Sequence, residues 1–228
     1  MEAALQFGIF GDSLMKGTLP IEGHRYRFHK EFMETLLEPI HAVVANKAKF
    51  GATIRKGHTV LQKDLSNGSR YDYALLEYGG NDCNYDWPNV AAAPDSHHDP
   101  AVGLAEFVGT LSDMIDQLEQ RGTKPILMTL PPIDSEKYLD YLQSQDIDRS
   151  ALVHWLGDPN HIYRTQELYS NAVYKLAVQR SLPCVDVRSV FLQRPDFPDL
   201  ISGDGIHPSE KGYQLLYSTL IDTIRQKI

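Results

Sequence analysis

The chain predicts an α/β fold, doubly wound, with one parallel sheet carrying helices on both faces. Three observations carry this. Short apolar runs bounded by glycine or proline alternate with stretches whose apolar residues recur at helical spacing, most plainly at 104–118. Strands separated by such helices require right-handed parallel crossovers rather than hairpins. No repeat, low-complexity stretch or linker-like composition divides the 228 residues, which therefore read as one domain, 1–228.

In order, the first strand is 5–10, stopped by Gly11, and a loop over 15–23 follows, punctuated by Gly17 and Pro20. Residues 26–37 place Phe28, Phe32, Met33, Leu36 and Leu37 at helical spacing before Pro39. A second strand at 41–45 leads to Gly51, at a strand-to-helix turn, and a third at 72–78 runs into Gly79-Gly80-Asn81-Asp82. Residues 83–100 are polar and broken by Pro88 and Pro94, a long loop whose Tyr85 and Trp87 either pin it to the core or line a cleft.

A strongly amphipathic helix, 101–120, places Leu104, Phe107, Val108, Leu111, Met114, Ile115 and Leu118 on one face and ends before Gly122. The fourth strand, 124–130, closes at Pro131-Pro132. Residues 133–161 interrupt the rhythm as a helical insertion with short helices at 135–145 and 149–156, which reads equally as a lid or pocket wall and as a packed flap. A helix at 162–180 with Leu168, Ala172, Leu176 and Ala177 inward, a fifth strand at 182–187 and a helix at 209–227 burying Tyr213, Leu216, Leu220 and Ile224 complete the chain.

Composition excludes several classes. With 42% hydrophobic and 23% charged residues the chain is neither disordered nor fibrous. A net charge of -8 without any Lys/Arg-rich block leaves no phosphate-binding stripe, so no nucleic-acid partner is expected. No apolar run approaches a membrane span, and Met1-Glu2-Ala3-Ala4 lacks a basic n-region. A soluble, cytoplasmic protein without a membrane partner is expected, provided no leader has been removed. Cys83 and Cys184 are too few for a disulfide framework and read as reduced thiols. Nothing in the sequence specifies the oligomeric state.

Chemistry concentrates at strand ends. Gly11-Asp12-Ser13-Leu14 delivers a serine hydroxyl at the carboxyl end of the first strand, where ligands bind in open α/β sheets. Alone, such a serine is ordinarily a turn or helix cap. Asp204-Gly205-Ile206-His207 stands just before the last helix, and its spacing lets the carboxylate fold back onto one ring nitrogen while the other stays free as a base. His154 and His161 are rivals for that role. Asp158 precedes His161 by three residues, but Pro159 stiffens the link and Asp158 or Asn160 reads as a helix cap. Asp95, His97, His98 and Asp99 lack remote ligands, so no metal is expected. Cys83 reads as a small filler, and Asp12 and Asp82 as bonding local backbone at their turns.

Taken together, Gly11-Asp12-Ser13-Leu14, Gly51, Gly79-Gly80-Asn81-Asp82 and Asp204-Gly205-Ile206-His207 resemble the four blocks of the GDSL, or SGNH, hydrolases, in the family's order. The resemblance implies a three-layer, flavodoxin-like five-stranded parallel sheet and a serine hydrolase without a cofactor. It makes Ser13 the nucleophile, His207 the base and then acid, and Asp204 its orienter. The Ser13 N–H, the Gly51 N–H and the Asn81 side-chain amide would form the oxyanion hole. Candidates for the substrate pocket are Tyr85, Trp87, Ile133, Trp155 and Ile206.

The expected partner is a small-molecule ester, with a short acyl group, acetyl above all, on a small polar or carbohydrate alcohol. Thioesterases and lysophospholipases also belong to that family, and a catalytically silent binding protein of the same fold is the non-enzyme alternative. A nucleotide-binding domain is disfavoured because no glycine-rich phosphate loop follows the first strand.

Overall fold

β1 (Leu5–Phe10) runs through the interior of a five-stranded sheet ordered β4-β1-β5-β6-β7. The computed structural model describes residues 4–21, 25–28 and 42–227. β4 (Ala42–Asn46), β5 (Tyr73–Leu76), β6 (Lys124–Met128) and β7 (Cys184–Val185) all pair parallel with their neighbours.

Successive side chains on a strand face opposite ways, so each strand contributes to two cores. Phe7, Ile9, Tyr73, Leu75, Ile126 and Met128 fill one side, with Phe191 of α7 (Val187–Leu192) and Tyr213, Leu216, Leu220 and Ile224 of α9 (Glu210–Lys227). Phe10, Ala74, Leu76 and Leu127 face the other side. There they meet α1 (Ile54–Ser66), α3 (Leu104–Glu119) and α6 (Asn160–Gln179). Burying a side chain of this size stabilises by roughly 1.5–3 kcal/mol.

Several elements differ from the sequence expectation. The segment read as a loop over 15–23 contains β2 (Thr18–Ile21), which pairs antiparallel with β3 (Arg25–Phe28). Tyr26 to Phe28 are therefore strand rather than the opening of a helix, and the rest of the helix expected over 26–37, like His41 of the second strand, lies outside the described residues. The alternation Arg-Tyr-Arg-Phe suits a strand once Thr18 to Ile21 supplies a partner.

The third, fourth and fifth strands leave the ladder two residues early, at 76, 128 and 185. The loop expected over 83–100 holds α2 (Trp87–Ala92), where the Asp86 side chain accepts from Asn89 N–H and Pro88 sits in the first turn, which needs no N–H from it. Between β7 and α9 lie α7 and the single turn α8 (Phe197–Leu200), neither expected from periodicity.

On α6, Leu176 and Ala177 are buried as expected, but Leu168 is 56% exposed, and the inward row is Ile162, Gln166, Tyr169, Val173 and Leu176. That row advances by three or four residues at each step, and Leu168 sits off it. Residues 133–161 include α4 (Ser135–Gln143) and α5 (Arg149–Leu156), which form a third apolar cluster with α2 through Trp87, Tyr138, Leu139, Leu142, Leu152 and Leu156. Among the described residues no helix is long and apolar enough to cross a membrane.

Candidate active site

The carboxyl edge of the sheet collects all four motifs. Ser13 follows β1, Gly51 follows β4, Asn81 follows β5, and Asp204 and His207 arrive on the loop before α9. Asp204 Oδ2 lies 2.6 Å from His207 Nδ1, and His207 Nε2 lies 2.9 Å from Ser13 Oγ. The loop is folded by the same carboxylate: Asp204 Oδ1 accepts from the N–H groups of Ile206 at 3.1 Å and His207 at 3.0 Å, and from Ser202 Oγ at 2.7 Å.

Burial pushes the Asp204 carboxyl up, but the His207 ring and the surrounding donors outweigh it and hold it below the usual carboxylate range. Asp204 is thus an acceptor, which puts a proton on Nδ1 and leaves Nε2 to accept from the Ser13 hydroxyl. Ser13, Asp204 and His207 are all buried, at 8%, 2% and 5% exposure, so water competes little for these bonds. The rivals lie elsewhere. His154 pairs with Asp95, and Asp158 accepts from Asn160 N–H and binds Arg164, as a helix-start residue would.

Around Ser13 the other motif residues form a cradle. Gly51 has φ +66, a left-handed conformation that glycine adopts without strain. The Asn81 side-chain amide donates to Asp12 Oδ2 at 2.8 Å and to Ala52 O at 3.2 Å. Asp12 Oδ1 accepts from Leu14 N–H at 2.9 Å, the local turn bond expected of it. Asp82 reaches beyond its own turn: its Oδ1 accepts from the Ile54 N–H at 2.8 Å and anchors the start of α1, while Oδ2 has no partner among the described residues.

A nucleophile-ready hydroxyl beside a buried imidazole–carboxylate pair at a strand end narrows the possibilities, and comparison with known families decides among them. The model of the GDSL-like lipase/acylhydrolase family matches residues 9–215. The chain belongs to this family. It is a hydrolase.

Among its relatives is the isoamyl acetate-hydrolyzing esterase of Saccharomyces cerevisiae, 25% identical over 225 residues that span 96% of this chain and 85% of that protein. The fold is shared with the lipase/acylhydrolase of Enterococcus faecalis (TM-score 0.69, 18% identity, 98% of this chain and 96% of that one). It is shared also with a catalytic mutant of an acetylxylan esterase from Geobacillus stearothermophilus (TM-score 0.67, 20% identity, 98% and 95%).

In this GDSL family member Ser13, Gly51, Asn81 and His207 open onto one cavity of about 150 Å³. Trp87, Ile133 and Ile206 are on its wall, where the sequence put them. Tyr85 and Trp155 are not. They pack behind Trp87, with ring centroids 5.4 Å (Tyr85–Trp87) and 6.5 Å (Trp87–Trp155) apart, so that of these three rings Trp87 alone lines the cavity.

Several wall residues were not anticipated. Tyr26 comes from the β2–β3 hairpin, its ring 5.3 Å from that of His207, and its hydroxyl pairs with that of Tyr141 at 2.9 Å. Tyr138, by contrast, stands on the 133–161 insertion that the sequence reads as a pocket wall or a flap, and it bridges the Trp87 indole N–H and Asn84 Oδ1. Gln166 and Phe50 also line the cavity, beside Cys83, Leu130, Pro131 and Ile162. A strand read as a helix concealed Tyr26, and the remaining residues carry no local motif.

Proposed function

We propose that the chain is a serine esterase that cleaves short-chain carboxylic esters through an acyl-enzyme on Ser13. The observation that carries this is the unbroken line Asp204 Oδ2, His207 Nδ1, His207 Nε2, Ser13 Oγ, at 2.6 and 2.9 Å, ending in a cavity.

Ser13 Oγ attacks the ester carbonyl carbon as its proton passes to His207 Nε2, and Asp204 stabilises the imidazolium that results. The carbonyl oxygen becomes an oxyanion bound by the N–H groups of Ser13 and Gly51 and by the Asn81 amide, which turns from Ala52 O toward the new charge. Collapse expels the alcohol, which takes the proton from His207 and leaves Ser13 acylated. Water then attacks the acyl carbon, giving its proton to His207. The second collapse releases the carboxylic acid and returns a proton to Ser13.

A cavity of about 150 Å³ is small beside drug-sized pockets, which favours acetyl or similar acyl groups. The yeast and Geobacillus relatives, esterases of isoamyl acetate and of acetylxylan, point the same way. The alcohol would leave past Tyr26 and Phe50, an aromatic rim suited to a small alcohol or one sugar ring.

Release of p-nitrophenol from its acetate by the wild type and by Ser13→Ala tests the reading. Turnover lost in the variant supports it, and equal rates end it. The rates for acetyl, butyryl and octanoyl esters then test the short-chain assignment, which fails if octanoate is preferred.

A further inference from the structure

Beneath the cradle lies a group that the proposed chemistry leaves unused. Glu77 directly follows β5, is 0% exposed, and its N–H donates to Phe10 O at 2.9 Å. Its Oε2 accepts from Asp12 N–H at 3.2 Å, while its Oε1 has no partner among the described residues. Gly11 leaves room for it, since a Cβ there would meet Oε2 at 2.9 Å. The carboxyl groups of Glu77 and Asp12 lie within hydrogen-bonding reach of each other. Two carboxylates cannot bond without a proton between them.

Asp12 is also fully engaged on its far side, where Oδ2 receives the Asn81 amide. Among the described residues the groups facing Glu77 supply no compensating cation. They are Asp12 beyond β1, Asp82 beyond its own strand, and Tyr213 and Tyr217 of α9, with Tyr78 next in the chain. Burial and the negative neighbours raise the Glu77 carboxyl well above the usual range.

We propose that Glu77 is a positioning residue for the oxyanion hole: as a buried carboxylic acid it donates to the Asp12 carboxylate, and Asp12 in turn aims the Asn81 amide at the cavity. This rests on the oxyanion role proposed for Asn81. The shared proton does two things. It ties Asp12 in one orientation, and it withholds a second negative charge from a site where a developing oxyanion must be stabilised.

Ionising Glu77 at high pH therefore costs rate, whereas a neutral amide in its place keeps the donor. The test compares wild type, Glu77→Gln, Glu77→Leu and Asn81→Ala on p-nitrophenyl acetate across pH, with circular dichroism to check folding. Isotope-edited infrared spectroscopy of 13C-glutamate-labelled protein reads the proton directly.

The proposal expects a protonated-carboxyl band at neutral pH that vanishes in Glu77→Gln. It expects kcat in Glu77→Gln within about threefold of wild type but without the wild type's alkaline decline. In Glu77→Leu it expects a fall in kcat on the order of 10- to 100-fold at nearly constant KM. Absence of the band, or identical pH profiles for wild type and Glu77→Gln, overturns it even if Glu77→Leu fails to fold. An unchanged kcat in Asn81→Ala would instead overturn the oxyanion reading and with it the catalytic half of the proposal. The infrared band then still decides whether the Asp12–Glu77 proton exists.

Discussion

Asn81 holds two bonds in the resting protein, to Asp12 and to Ala52 O, and the oxyanion role proposed for it requires the second to be given up. Removing a preorganised donor of this kind costs on the order of 10²–10³ in rate. Asn81→Ala is therefore expected to lose about that factor in kcat with little change in KM, measured on p-nitrophenyl acetate. Asp204→Asn goes further, because an amide in contact with His207 Nδ1 favours the wrong tautomer and Nε2 then no longer accepts from Ser13. A loss on the order of 10⁴ in kcat is expected from the equivalent substitution in the Ser-His-Asp template.

These residues were legible in the sequence because each sits in a contiguous tetrad, Asn81 just after β5 and Asp204 with His207 just before α9, where close neighbours fix the turn. Ser202, which bonds Asp204 Oδ1, and Glu77, which underlies Asp12, were not legible. Their roles arise from contacts that no local pattern encodes.

At the level of elements, the Asp204 to His207 loop is braced by α4 of the 133–161 segment. Asp134 N–H donates to Gly205 O at 2.8 Å, and a Cβ on Gly205 would lie 2.4 Å from Tyr138 N and 2.5 Å from Asp134 O. Gly205 also has φ +77. Gly205→Ala is expected to strain the backbone by on the order of 1–3 kcal/mol and to lower kcat by displacing Asp204 from His207. Gly157→Ala is the control, with φ +70 but open space around the added carbon. It should cost about 1 kcal/mol in thermal unfolding and spare kcat. If both variants lose activity alike, the brace is not what holds the loop.

Periodicity revealed the helices with one apolar face, such as α3 and α9, since burial of that face is what makes them form. It failed for β2 and β3, whose four residues each match either period and whose pairing depends on a partner further along the chain. It also placed Leu168 inward on α6, because apolar character alone does not say which stripe meets the sheet.

Over the whole molecule, the buried carboxyls set how stability responds to pH. Asp82, raised to about 7 chiefly by burial, binds a proton in the folded state between about pH 4 and 7 that the unfolded chain has released. Stability from this group is therefore full below about pH 4, falls as pH rises to about 7, and is flat beyond. Asp204, held below its usual range, works in the opposite sense: its contribution is present above about pH 4 and lost as pH falls through its lowered value. Melting temperature measured against pH should accordingly decline between about pH 5 and 7, and Asp82→Asn should flatten that slope. A slope unchanged by the substitution would assign it to other groups.

The fold class was legible at this scale because strand and helix alternate without a linker, and a parallel sheet converges its strand ends on one edge. That convergence brings Ser13 within reach of His207, 194 positions away. The most direct test of its consequence is peptide mapping after treatment with diethyl p-nitrophenyl phosphate, a probe that phosphorylates activated serines. The account predicts a single label on Ser13, rising in step with the loss of esterase turnover and absent in His207→Ala. A label on another residue, with Ser13 unmodified while turnover disappears, would contradict it.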